Sequence, residues 1–195
     1  MKRFLPLFFI LFLLINFNFK GYATSYIIHK DQNTLEIPIE KYIYFYEDNN
    51  NTISIDSLLQ NPKKYIFKQS NNKSLNFGFT NKTIWLKISI DNQTTLNKDF
   101  LFSIDYALLN EVSFYDIVDN KIVREIITGE NYPFKSRVIK DNSYVFLLNN
   151  YPLQFKTYFV RINSNGDPLQ IPMQINSPTH DKEVHSIELI GIAIY

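Results

Sequence analysis

Asn76-Phe77-Gly78-Phe79-Thr80-Asn81-Lys82-Thr83-Ile84-Trp85-Leu86-Lys87-Ile88-Ser89-Ile90-Asp91 joins a turn signal directly to the clearest strand of the chain. From Ile84 onward, Ile84, Leu86, Ile88 and Ile90 recur with period two and fall on one face, while Trp85, Lys87 and Ser89 fall on the other. The first set predicts a core face. The second puts the only tryptophan of the chain among polar neighbours, where a rigid amphipathic ring can stack on a ligand or a partner surface. The competing reading of Trp85 is a partly buried packing residue.

Working outward, the same test finds short β-branched and aromatic runs along the whole chain. Upstream they lie at 26–28, 35–37, 42–46 and 65–67; downstream at 100–104, 112–115, 121–127, 136–139, 144–148, 156–162 and 169–175. The connections are full of Asn, Asp, Gly and Pro. Ser54 and Asp56 ahead of Ser57-Leu58-Leu59-Gln60 predict about one helical turn, stopped by Pro62 and lying across one end of a sheet. Many short strands with no longer helical period predict an all-β fold, an antiparallel sandwich with an eight-stranded jelly roll as the preferred form.

With 195 residues the chain has room for one domain of ordinary size. Twenty Lys and Arg against nineteen Asp and Glu leave a formal net charge of +1, so no overall field draws it to nucleic acid. There is no cysteine, which removes disulfides, thiolate metal sites and cysteine nucleophiles. Lys2 and Arg3 precede an apolar run over 4–15, and Gly21-Tyr22-Ala23 ends the polar stretch that follows, the pattern of a secretory signal peptide over 1–23. An uncleaved membrane anchor is the alternative. The mature domain is then expected over 24–180. Residues 181–195 end in Ile187-Glu188-Leu189-Ile190-Gly191-Ile192-Ala193-Ile194-Tyr195, expected to be a juxtamembrane segment and the start of a membrane helix, or else a last strand or tail.

Extending the phase of Ile84 to other strands collects a second face. It carries Trp85, Lys87, Asp105, Tyr115 and Arg161, with Arg137 on a loop after Tyr132-Pro133-Phe134. Aromatic platforms beside charged hydrogen-bonding groups suit a sugar or a small organic acid. Each residue also has a plainer role: Arg161 can pair with Asp105 or Glu111, and Arg137 can brace a loop through carbonyls. His29, His180 and His185 lack the paired spacing of a metal-holding jelly roll, and scattered carboxylates are too common to mark a glycosidase. No cofactor, metal or catalytic residue is expected.

Tyr46-Glu47-Asp48, Ile53-Ser54-Ile55, Phe67, Phe77-Gly78-Phe79-Thr80 and Ile84-Trp85-Leu86-Lys87 follow one another in an order that resembles the type-2 extracellular domain of bacterial seven-transmembrane receptors with diverse intracellular signalling modules. Leu109-Asn110-Glu111-Val112-Ser113-Phe114-Tyr115, Gly129, Tyr132-Pro133-Phe134 with Arg137, Phe159-Val160-Arg161-Ile162 with Ser164 and Gly166, and Ile171-Pro172 continue the set over about residues 27–176. The resemblance implies a periplasmic jelly-roll sensor that binds a carbohydrate-like or other small molecule. It also implies attachment to the inner membrane through a helix bundle that this sequence lacks, and a kinase or diguanylate cyclase output beyond it. The alternative function is a free secreted carbohydrate-binding or adhesion module.

Overall fold

In the computed structural model of the protein, residues 24–29 and 37–178 are described. The expected leader over 1–23, residues 181–195 and most of the strand expected at 35–37 lie outside them. The strands are β1 (Tyr26–Ile28), β2 (Ile43–Asp48), β3 (Lys68–Gln69), β4 (Ser74–Phe79), β5 (Thr83–Asn92), β6 (Phe100–Ile104), β7 (Glu111–Val118), β8 (Lys121–Thr128), β9 (Tyr144–Leu148), β10 (Gln154–Asn163) and β11 (Pro168–Asn176). Two short helices, α1 (Ile39–Tyr42) and α2 (Ile55–Gln60), flank β2.

The strands form two sheets. The larger has the order β3-β2-β5-β10-β7-β8, with β1 alongside the end of β5, and the smaller has the order β4-β11-β6-β9. Only the β1–β5 pairing is parallel among the described residues. From β3 to β11 the chain crosses between the sheets at each step, except for the β7–β8 hairpin that stays in the larger one. That alternation is the path of an antiparallel jelly-roll sandwich. It is drawn with eleven described strands rather than eight, because β1, β3 and the hairpin widen one sheet.

Period two explains the core. Ile84, Leu86, Ile88 and Ile90 of β5, Val112 and Phe114 of β7, and Tyr158, Val160 and Ile162 of β10 point between the sheets. They meet Phe100, Phe102 and Ile104 of β6, Phe146 and Leu148 of β9, and alternate residues of β11. The Phe114 and Phe146 rings stack across the seam at 4.8 Å with an interplanar angle of 5°. Each such side chain, fully buried, contributes about 1.5–3 kcal/mol relative to leaving it in water.

A buried lysine interrupts this core. Lys156 is in phase with Tyr158 and is 2% exposed, and its Nζ donates to Asp116 Oδ2 at 2.9 Å and to the Asn149 carbonyl at 2.9 Å. Arg124 of β8 stands 3.5 Å from the same carboxylate. A buried lysine is tolerated here because a carboxylate and a carbonyl satisfy it.

Three local expectations differ from the structure. Residues 136–139 form no strand; a 3-10 turn at Phe134–Ser136 is followed by irregular chain whose Ile139 is buried. Residues 65–67 are not a strand either, because Tyr65 and Phe67 turn down onto a neighbouring apolar surface. Conversely, the stretch read as a turn before Thr83 forms β4, an edge strand on β11 in which only Leu75 is buried. Its alternate residues Leu75 and Phe77 face the core, and the turn residues Asn76 and Gly78 between and after them disguise that period. Gly78 sits at φ +61° there, and its N–H donates to Asn76 Oδ1 at 2.9 Å, which is the turn signal seen in the sequence.

Candidate functional site

The outer face of the larger sheet is laid out by register. One rung across it reads Tyr46, Trp85, Arg161, Ser113; the next reads Tyr44, Lys87, Phe159, Tyr115. Four of the six expected site residues, Trp85, Lys87, Tyr115 and Arg161, therefore share one face. It is not open to solvent. The excursion between β2 and β3 folds back over it, so that Ile53, Ile55, Leu58, Leu59, Tyr65 and Phe67 cover Tyr46, Trp85, Tyr115, Ile117 and Phe159. The helix α2 thus lies over the face and not across one end of the sheet. Ser54 caps it, its Oγ accepting from the Ser57 N–H at 3.2 Å, and the chain leaves it just before Pro62.

The expectation that Trp85 sits among polar neighbours is corrected by this cover. Trp85 is 0% exposed and stacked on Tyr115 at 6.0 Å, with no acceptor for its Nε1 among the described residues. Tyr115 is 7% exposed, and burial pushes its phenol pKa up. Both rings pack the cap. Arg161 pairs with Glu111, one of its two anticipated partners. Asp105 is elsewhere: it follows β6 in the smaller sheet, is exposed, and accepts from Gln174 Nε2 at 3.1 Å. Period two gives the phase of β6 but not the sheet it joins. Arg137 is also apart, donating to the carbonyls of Asp141 and of Asn142, the latter at 2.7 Å, with its guanidinium 4.3 Å from the Tyr144 ring. It braces its loop.

Of the four on the shared face, the cover leaves Arg161 and Lys87 partly exposed, and, among the described residues, Arg161 is ion-paired whereas Lys87 is not. Lys87 lines a cleft of about 510 Å³ bounded by Leu58 and Leu59 of α2, by the β7–β8 turn, and by the start of β10. Its ammonium lies 5.9 Å from the Phe159 ring centroid, and no carboxylate or hydrogen-bond acceptor among the described residues pairs with it. Burial holds its pKa below the usual lysine range. Gln154 also lines the cleft, and its Oε1 is buried without a partner among the described residues. Leu153 and Phe155 at the mouth are 74% and 53% exposed. Leu153 is held at φ +53°, an uncommon and strained conformation for a bulky residue.

Sequence reasoning missed Leu153, Gln154 and Phe155. The signal for Phe155 was present, since extending the outward phase of Phe159 back by two and four residues reaches Thr157 and Phe155. The cap left a signal too, because an aromatic and aliphatic excursion between two strands has to bury its side chains on something. Among the described residues no group of three His, Cys, Asp or Glu could hold a metal ion, and no helix is long and apolar enough to cross a membrane.

No curated protein matches the chain. Among solved structures, it is similar to a family 35 carbohydrate binding module from Clostridium thermocellum, at 9% identity and a TM-score of 0.31, over 53% of this chain and 87% of that one. It is also similar to the GH31 alpha-xylosidase of Xanthomonas citri, at 12% identity and a TM-score of 0.34, over 78% of this chain and 16% of that one. Likeness at that level says nothing of what this chain binds. The family described as 7TMR-DISM extracellular 2 matches residues 40–177, the whole sandwich from α1 to the end of β11, and the chain belongs to that family.

Proposed function

We propose that this chain is the periplasmic ligand-binding sensor of a bacterial membrane signalling receptor, exported behind residues 1–23 and continued into the inner membrane from residues 181–195. Its ligand, a small molecule of the sugar or organic-acid type, binds in the outer-face cleft beside Lys87. Membership of an extracellular receptor-domain family supports the sensor role. The observation that carries the site is the pairing of a half-buried, unpartnered lysine with a strained, exposed apolar rim on one cleft. Trp85 and Tyr115 act by holding the cap that forms one wall, Arg161 by bridging to Glu111. Asp105 and Arg137 stand outside the cleft.

A thermal-shift screen of the purified chain against sugars, organic acids and amino acids tests this. A ligand that binds only the native state raises the melting temperature. Phe155→Ala, which removes an exposed ring, should weaken the hit while leaving the unliganded melting temperature within a few degrees of wild type. Ligands that bind equally well to Phe155→Ala would place the site elsewhere.

A further inference from the structure

We propose that the cleft selects a small organic acid, a carboxylate carried on an apolar body, with Lys87 as its counter-ion. This rests on reading the cleft as the ligand site. Among the described residues Lys87 is the only cation lining it, and the only acid there, Asp119, is exposed on the β7–β8 turn. One cation without a partner fits one negative charge. A half-buried ammonium facing Phe159 has lost part of its hydration with no anion to replace it, so an arriving carboxylate is favoured by the charge the site already holds.

The remaining walls describe the body of the ligand. Leu58, Ile117, Leu153 and Phe155 are apolar, and two of the four are exposed at the mouth, where they lose water contact only when something covers them. A carbohydrate would need many hydrogen-bonding groups. Besides Lys87 and the exposed Asp119 carboxylate, the cleft offers the Gln154 amide, the Asn120 amide that already donates to the Leu59 carbonyl at 3.3 Å, and the Thr157 hydroxyl that shares a hydrogen bond with Ser89 at 3.1 Å.

Isothermal titration of the purified chain with phenylacetate, octanoate and the neutral phenylacetamide decides the matter. The acids should bind, and the amide, which keeps the shape and loses the charge, should bind at least about tenfold more weakly. Lys87→Met should bring phenylacetate down to the level of the amide, and Lys87→Arg should retain most of its affinity. The comparison of acid with amide needs no variant, so it stands even if Lys87→Met folds poorly. Equal binding of acid and amide, or unchanged binding of phenylacetate to Lys87→Met, overturns the assignment, as does the absence of binding by both acids. A neutral sugar that binds wild type and is weakened by Phe155→Ala would overturn the acid preference alone and leave the cleft as the sensor site.

Discussion

Trp85 separates the phase of a residue from its surroundings. Alternation put it on the face opposite the core, and the structure agrees; that a second apolar layer lies on that face is a fact about residues 53–67, remote from the strand in sequence. Trp85→Ala should therefore cost about 3–5 kcal/mol, as for other large side chains removed from a packed interior, read as a lower midpoint in urea. Arg161→Ala should cost about 1 kcal/mol or less in the same assay, because the ion pair with Glu111 is partly exposed. Tyr158 offers a test in pH. Its phenol is held well above the ordinary value by burial first and by the nearby Asp116 carboxylate second. Above about pH 10 the unfolded chain loses this proton while the folded one keeps it, so stability present below that pH is lost as pH rises. Tyr115, Tyr132 and Tyr144 are raised as well, so the difference between wild type and Tyr158→Phe is what isolates Tyr158. That difference, about 1–2 kcal/mol at neutral pH from the hydrogen bonds to Asn149 and Asn150, should shrink in alkaline urea titrations.

Among the elements, those buried on one face were legible and those held by backbone or by irregular contacts were not. β5, β6, β7, β10 and β11 each show their period in the sequence, because one face of each meets a core or a covering layer; β8, with its apolar residues in adjacent pairs and mostly exposed, shows none. β4 alternates at Leu75, Phe77 and Phe79, but Asn76 and Gly78 give it the look of a turn, and residues 136–139 mimic a strand while serving a loop that Arg137 ties together. The inward Lys156 of β10 is the exception within a legible strand. Lys156→Met removes the main partner of a carboxylate that is 3% exposed, and should cost roughly 3 kcal/mol, the low end of the range for breaking a buried pair, since Arg124 still stands close to Asp116. Adding Asp116→Leu should restore most of that loss, which a double-mutant cycle measures directly.

At the scale of the whole molecule, the ordered set of short motifs led to the family, whereas the cleft proposed as the ligand site was legible only at Lys87. A cleft is made by three segments that meet in space, here α2, the β7–β8 turn and the start of β10, and no periodicity encodes a meeting of that kind. Residues 53–67, the cap over the larger sheet, belong to no strand ladder, so their amides should exchange faster than those of β5 and β10, and a bound ligand should slow them toward theirs. Equal protection of cap and sheets without ligand would contradict this. The crossing path between sheets has a further effect, on how quickly the chain can reach this state. Only β7–β8 is a tight hairpin, closed by Asp119 and Asn120, both at positive φ as a two-residue turn between twisted strands requires. Almost every other ladder joins strands that are distant in sequence: β5 waits for β10, and β4 waits for β11. Folding from the hairpin must close long loops before most of the core is gained, which places the molecule among slow folders, in the range of milliseconds to seconds.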